Sequence, residues 1–397
     1  MKKVVLITNY FHFESEKPSN RYRILADLLA KDGEIELEVI TSRFYQRTKT
    51  FRTNLEELTK GLPYKVTFID EPGYQKNISF KRLRTSKVFA RNTIKYLKSK
   101  PLPDLIYQVI PTVDVADQVG RFANQNQIPF VIDIQDLWPE AFKMAFNVPV
   151  LSNLLFSPIK KKADRAYKSA DAICAVSQTY VDRALSVNKK CKTGHSVFIG
   201  INLSAFDRYR PEKEEQTDSR LKLVYCGSLE KSYDIETVID ALAMMKNPPL
   251  FVVLGDGNYR PRFEAYAKEK NVEAEFTGFL PYPQMVERMC KCDITVNPII
   301  GSSVSSIINK HGDYAASGLP VINTQNSPEY RALVESYRMG FNCNSGDAAD
   351  LAKKLEILCE DEQLRREMGK NSRRCAEEKF NRDVTYFELV ATIKGLL

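Results

Sequence analysis

GSSVSSIINKHGDYAASGLPVINT, residues 301–324, decides how this chain of 397 residues is read. It opens as a serine-rich loop. A short helix follows, carrying Asn309, Lys310 and Asp313, and Gly318-Leu319-Pro320 stops it before an apolar strand at Val321-Ile322. A helix that starts after a polar loop presents free backbone N–H groups and the positive end of its dipole, which suits phosphate. The amides of Ser303–Ser306, Ser305 and Ser306 among them, can cradle phosphate oxygens. Lys310, one turn before Asp313, adds a flexible ammonium donor.

Upstream of that stretch, apolar strand patterns and helical patterns alternate from Leu221, and the strand ends share a feature. Gly227-Ser228, Gly255-Asp256-Gly257, Gly278-Phe279 and Pro298–Gly301 each close one strand, with Lys231 and Leu280 just beyond two of them. Parallel strands of an open sheet place ligands at their carboxyl ends, and glycine permits close backbone approach there. The first half alternates in the same way, from KVVLIT at Lys3–Thr8 to the strand near Ser196–Ile199. The expected architecture is α/β with two doubly wound, Rossmann-like domains, 1–201 and 221–380. A charge-rich linker without apolar periodicity is expected over 202–220, and a closing helix over 381–397.

Composition narrows the class. Hydrophobic residues at 43% and charged residues at 27% describe a folded protein with ordinary cores. No apolar run reaches the roughly 18 residues of a spanning helix. MKKVVLITNY enters a strand pattern rather than a signal-peptide core, so a cytoplasmic location is expected. The eight cysteines are scattered and read as reduced core residues, and no metal-ligand spacing is present. The net charge of +8 is uneven: Arg43–Lys100 holds 15 Lys/Arg against 4 Asp/Glu, and the remainder of the chain balances to −3. Phe44, Tyr45, Phe51, Tyr74, Phe80 and Phe89 lie among those cations. Cations interleaved with aromatics suit an anionic membrane surface. A solvated face is the plainer reading, and nucleic acid is not expected as a partner.

Several stretches resemble one family. GSLEKSYDIETVIDAL (227–242), VVLGDG (252–257), FTGFL (276–280) and above all KHGDYAASGLPVI (310–322) are similar to the nucleotide-sugar domain of retaining glycosyltransferases of family 4. DLWPE (136–140) is similar to a subgroup that builds bacterial surface polysaccharides. The resemblance spans essentially the whole chain. It implies a GT-B fold, in which two Rossmann-like domains face each other across a cleft and the closing helix crosses back to the first. It also implies a metal-independent transferase moving a hexose or N-acetylhexosamine-type sugar from a nucleotide diphosphate, UDP for preference. The acceptor would be a lipid-linked saccharide at the inner face of the plasma membrane, in capsule or exopolysaccharide synthesis, with the nucleotide sugar as co-substrate and no bound cofactor.

Residue by residue, Asp313 stands at the second of the family's two acidic positions and Ser305 at the first. Ser228 and Tyr233 occupy the places where Arg and Lys often contact the pyrophosphate, and Gln135 replaces a frequent His. Asp136, Lys310 and Asp313 are the candidate catalytic residues. Gly227, Ser228, Lys231, Gly255, Asp256, Phe279, Leu280, Ser305, Ser306 and Asn309 are the candidate donor contacts. His12, Arg21, Gln135 and Glu140 are the candidate acceptor or cleft residues, Arg21 reaching for the leaving phosphate. Asp136 and Glu140 also fit as N-cap and first-turn acid of a short helix. Two other classes share the landmarks: a catalytically reduced binding or scaffold subunit, motivated by Ser305, and a nucleotide-sugar epimerase. A dinucleotide dehydrogenase is not expected, because no GxGxxG follows either opening strand.

Overall fold

The protein is described by a computed structural model covering residues 1–16, 20–77, 79–140, 149–211, 220–300 and 307–397, with residues 149–155 described by backbone alone. It divides into two compact units, Met1–Val197 with Tyr386–Leu397, and Phe198–Thr385.

The first unit is built on seven parallel strands. In chain order they are β1 (Lys2–Ile7), β2 (Ile35–Ser42), β5 (Lys65–Ile69), β6 (Leu105–Ile110), β7 (Phe130–Ile134), β8 (Ala172–Ala175) and β9 (His195–Ser196). A two-stranded antiparallel hairpin, β3 (Phe44–Tyr45) and β4 (Thr50–Phe51), stands apart after β2. The sheet order is β5-β2-β1-β6-β7-β8-β9. Helices cover both faces, so the strands read as continuous apolar runs. Alternate residues serve the two faces. Val5, Ile7, Ile132 and Ile134 pack with Phe89, Val119 and Ala163 from helices Phe80–Lys98, Val113–Gln125 and Pro149–Ser169. Val4, Leu6, Val39 and Val131 pack with Leu25 and Leu29 of helix Arg21–Ala30 and with Tyr386, Leu389 and Ile393 of the closing segment. Helix Phe387–Lys394 is thereby part of the first unit, and the ion pair Lys394–Asp32 at 2.7 Å and the hydrogen bond between His195 Nδ1 and Glu388 Oε1 at 2.9 Å fasten it there.

The second unit has six parallel strands, β10 (Lys222–Cys226), β11 (Leu250–Leu254), β12 (Ala274–Gly278), β13 (Ile294–Asn297), β14 (Val321–Asn323) and β15 (Gly340–Asn342), in the order β12-β11-β10-β13-β14-β15. The strand order reverses between β10 and β13, which is where an open α/β sheet offers its ligand crevice. Each unit carries a doubly wound sheet, as the alternation predicts.

The linker expected over 202–220 is corrected in its first part. Leu203–Tyr209 is a helix capped by Asn202, whose side chain accepts from the Ala205 N–H at 2.7 Å, and Leu203 and Phe206 are buried. Two apolar residues three apart are enough to seat one helical turn, a spacing too short to register as periodicity. Helix Pro328–Tyr337 and strand β15 are further additions to the expected element order.

Candidate active site

At the carboxyl edge of the second sheet the chain stitches its own loops together before any ligand is considered. The Gly227 N–H donates to Leu254 O at 2.9 Å, Leu229 N–H to Asp256 O at 2.9 Å and Tyr259 N–H to Leu229 O at 3.0 Å. Gly255 has φ +155°, and a Cβ there would sit 1.8 Å from Gly227 O; one on Gly257 would sit 2.3 Å from Leu229 O. These two glycines are therefore required by loop-on-loop packing, whether or not a ligand also approaches them. Asp256 turns its Oδ1 to the Gly257 N–H at 2.9 Å. Across the switch point, Asp234 N–H donates to Pro298 O at 3.0 Å and Ile300 N–H to Ser232 O at 3.2 Å, which ties the loop after β10 to the loop after β13.

Gly227 has a different role. A Cβ on it would lie 2.4 Å from Lys310 Nζ. The missing side chain is the space the Lys310 ammonium occupies. That ammonium donates to Tyr225 Oη at 3.1 Å and lies 4.4 Å from the Tyr225 ring centre and 3.8 Å from that of Tyr233. No carboxylate among the described residues pairs with it. Two ring faces stabilise a cation, and a counter-ion would stabilise it far more. Burial pushes its pKa down from 10.5 to about 7.

Asp313, one turn on, is held from the other side. Tyr282 Oη donates to Asp313 Oδ1 at 2.9 Å, and burial raises the carboxyl to about 6, with Tyr282 and Arg382 opposing the rise. Lys310 and Asp313 both act on the half-buried Cys226 thiol at the end of β10, whose pKa desolvation lifts to about 12. The helix that carries them, Asn309–Ser317, ends at Gly318 with φ +70°, a left-handed cap only glycine adopts freely. His311, on the same helix, faces inward: it is fully buried, stacks on Tyr330 at 3.5 Å between ring centres and accepts from the Ile308 N–H at 3.3 Å. It is a structural residue.

The remaining candidates divide plainly. Ser228 and Lys231 are exposed in the turn after Gly227, and the Ser228 carbonyl accepts from Tyr225 Oη at 2.6 Å. Phe279 is 81% exposed beside the half-buried Leu280. Asn309 is exposed at the start of its helix, and Ser305 and Ser306 lie outside the described residues. Among the described residues, the second unit thus gathers Gly227, Ser228, Lys310 and Asp313 at one strand end.

In the first unit, Asp136 accepts from Trp138 Nε1 at 3.1 Å just past β7, and burial raises its carboxyl. Gln135 donates its N–H to Ile110 O at 2.8 Å, between the ends of β6 and β7. His12 lies edge-on to Tyr45 at 5.5 Å in the loop after β1. Glu140 accepts from Arg183 Nε at 2.7 Å, so one of its oxygens is committed to an ion pair. Arg21 is a correction. Its guanidinium is buried, donating to both Asp133 oxygens at 2.8 and 3.1 Å and to Val197 O at 2.8 Å, over the Tyr386 ring at 5.1 Å. A cation so enclosed fastens the closing segment to the sheet and does not reach a phosphate.

Two features escaped the sequence reading. Tyr225 and Tyr233, the walls around Lys310, were visible as two tyrosines flanking the Gly227 turn, but nothing in their spacing named a lysine 77 residues beyond Tyr233. The second is an asparagine ladder. Asn297, Asn323 and Asn342 end β13, β14 and β15 in register. Asn297 Nδ2 donates to Asn323 Oδ1 at 2.9 Å and Asn323 Nδ2 to Asn342 Oδ1 at 2.8 Å. Three strands closing on VN, IN and FN were the available signal.

Residues 207–375 match the family described as glycosyl transferases group 1. That domain contains Gly227, Lys310 and Asp313, and the structural neighbours show the whole fold to be GT-B. Two of these are Anabaena Alr3699/HepE in complex with UDP (TM-score 0.70, 16% identity, all of both chains) and sucrose-phosphate synthase from Thermosynechococcus elongatus (TM-score 0.71, 17% identity, 100% of this chain and 99% of that one). The curated "Putative glycosyltransferase EpsD" of Bacillus subtilis (strain 168) is 25% identical over 252 residues, covering 59% of this chain and 63% of that protein. The match therefore spans less than two thirds of that relative.

Proposed function

We propose that this chain is a retaining glycosyltransferase that moves a hexose or N-acetylhexosamine-type sugar from a nucleotide diphosphate donor, UDP for preference, to a lipid-linked saccharide in surface-polysaccharide synthesis. The observation that carries the reading is the Lys310 ammonium, seated in the gap at Gly227 with no carboxylate partner among the described residues, at the point where the strand order reverses. A phosphate is the counter-ion that site lacks.

In this reading the diphosphate lies over Gly227 and the first turn of helix Asn309–Ser317. Negative charge grows on the leaving phosphate as the glycosidic bond breaks, and Lys310 with the first-turn amides stabilises it. Lys310 supplies charge that a divalent cation supplies in other transferases, so no metal is required. Asp313 accepts from sugar or ribose hydroxyls through the oxygen that Tyr282 leaves open. Leu280 and the exposed Phe279 receive the base. Asp136, Gln135 and His12 serve the acceptor. The binding of UDP by HepE supports the donor class, and the cation-rich first unit supports a membrane-borne acceptor at the cytoplasmic face.

A thermal-shift screen against nucleotide diphosphates and their sugars tests the proposal. A ligand at a hundredfold its Kd adds about 2.7 kcal/mol to apparent stability, a rise of a few degrees. Failure of every nucleotide diphosphate to shift the melting curve would overturn the donor site. The anomeric configuration of a product, read by NMR, decides retention.

A further inference from the structure

The basic segment is not uniformly available to a partner. Arg52 is buried, donating to Ser42 O at 2.6 Å, Phe11 O at 2.7 Å and Glu16 at 2.6 Å. Arg82 donates to Tyr10 Oη at 3.1 Å and lies 4.7 Å over the Trp138 ring. Of the six aromatics expected among the cations at a membrane surface, Phe44, Tyr45, Tyr74 and Phe89 are buried. Only Phe51, 46% exposed, and Phe80, 91% exposed, face outward.

What remains is ordered. Helix Phe80–Lys98 contains seven cations and no acid. Arg84, Lys87, Arg91, Lys95 and Lys98 are all exposed. At 3.6 residues per turn these five and Phe80 fall within about 80° of one another, a stripe about 28 Å long with an aromatic ring at one end. None of the five pairs with an acid among the described residues. Beside them, Arg84, Lys87 and Arg91 form one wall of a groove of about 420 Å³ whose other wall holds Arg121, Lys162 and Arg165. On that far wall the charges are satisfied: Arg165 donates to both Asp117 oxygens at 2.9 and 2.7 Å, Arg121 pairs with Asp117 at 3.2 Å, and Lys162 pairs with Asp114. The near wall is not.

We infer that this stripe, Arg84-Lys87-Arg91-Lys95-Lys98 with Phe80, is the face that docks the first unit on an anionic phospholipid surface. A straight row of cations on one helix, none paired with an acid among the described residues, matches a plane of headgroup phosphates. Phe80, exposed at the helix start, sits where an aromatic ring enters the headgroup layer. The inference deepens the membrane-side reading above and rests on it, yet its test uses neither donor nor acceptor.

The test is co-sedimentation of the full chain with vesicles of phosphatidylglycerol and phosphatidylcholine, against pure phosphatidylcholine. Each basic residue near an anionic surface contributes roughly fivefold in partitioning, so Arg84→Gln/Lys87→Gln/Arg91→Gln should lose about a hundredfold. Phe80→Ser should weaken binding further. Arg366→Gln/Lys370→Gln/Lys379→Gln, on exposed residues of the second unit, serves as the control and should bind as the wild type does. The substituted stripe residues are exposed and pair with no acid among the described residues, so melting curves should coincide. Lys95→Gln/Lys98→Gln repeats the test should the triple variant melt early. Wild-type binding equal on neutral and anionic vesicles, or undiminished in both stripe variants, would overturn the inference. So would tighter binding to duplex nucleic acid than to anionic vesicles. A melting shift with nucleotide but no vesicle binding removes this inference alone; the converse removes the donor site alone.

Discussion

Lys310→Gln separates the electrostatic role of Lys310 from its bulk. Holding an ammonium at a pKa of about 7 instead of 10.5 corresponds to a cost on the order of 5 kcal/mol for keeping it charged in the ligand-free protein. The sign follows from where the proton sits. Below about pH 7 both folded and unfolded chains carry it, so the cost is fully present. Between about pH 7 and 10.5 the folded chain has shed it and the unfolded chain has not, so the cost is progressively relieved. The ligand-free variant should therefore melt above the wild type near pH 6, and the gain should shrink toward pH 9. Binding should move the other way. A phosphate contact to a charged donor is worth about 1.5–3 kcal/mol, so UDP affinity should fall roughly 10- to 150-fold in the variant near pH 6. For the wild type, affinity should weaken by about tenfold per pH unit above 7, because a phosphate must recharge the lysine. Calorimetry near pH 8 in buffers of different ionisation enthalpy should detect the uptake of nearly one proton. The ratio of wild-type to variant Kd cancels any ionisation of the ligand. Wild-type binding without proton uptake, or an unchanged Kd in the variant, would refute the phosphate role.

Three further outcomes follow from the same geometry. The profile of kcat/KM should be bell-shaped, with an acid limb near pH 6 from Asp313 and an alkaline limb near pH 7 from Lys310; Asp313→Asn should remove the acid limb. Gly227→Ala places a Cβ 2.4 Å from Lys310 Nζ at a φ of +142°, and should cost about 1–3 kcal/mol in stability; in a Lys310→Ala background the steric part of that loss should disappear, measured as non-additive melting shifts. Arg21→Met leaves Asp133 buried without its partner and should cost about 3–5 kcal/mol in urea unfolding while UDP affinity in calorimetry stays within twofold. A loss of affinity with unchanged stability would instead restore Arg21 to the phosphate.

Much of the fold was legible because its signals are local. Buried strands such as Phe130–Ile134 are short apolar runs, and Gln178–Leu185 follows an N-capping Ser177. Elements with weak local signals, the helix at Leu203–Tyr209 and the three-residue strand β15, emerge only when a neighbouring surface buries them. The site was legible in part. KHGDYAASGLP announces a helix with a lysine, an acid and a glycine stop, and each is where that pattern places it.

What the sequence by itself determined was therefore the alternation of strands and helices, the glycine-bearing strand ends and the charge excess in one segment. Tertiary structure decided what those residues do. Gly255 and Gly257 serve backbone packing, Gly227 makes room for an ammonium, and Arg21 is spent on Asp133. Two of the segment's cations, Arg52 and Arg82, turn inward while five line up outward on one helix. The physical reason is common to all of these. A residue's type fixes what it can donate, accept or carry, whereas its pKa, its partner and its exposure are set by atoms distant in sequence. For Lys310, those atoms are two tyrosine rings and the hydrogen of a glycine.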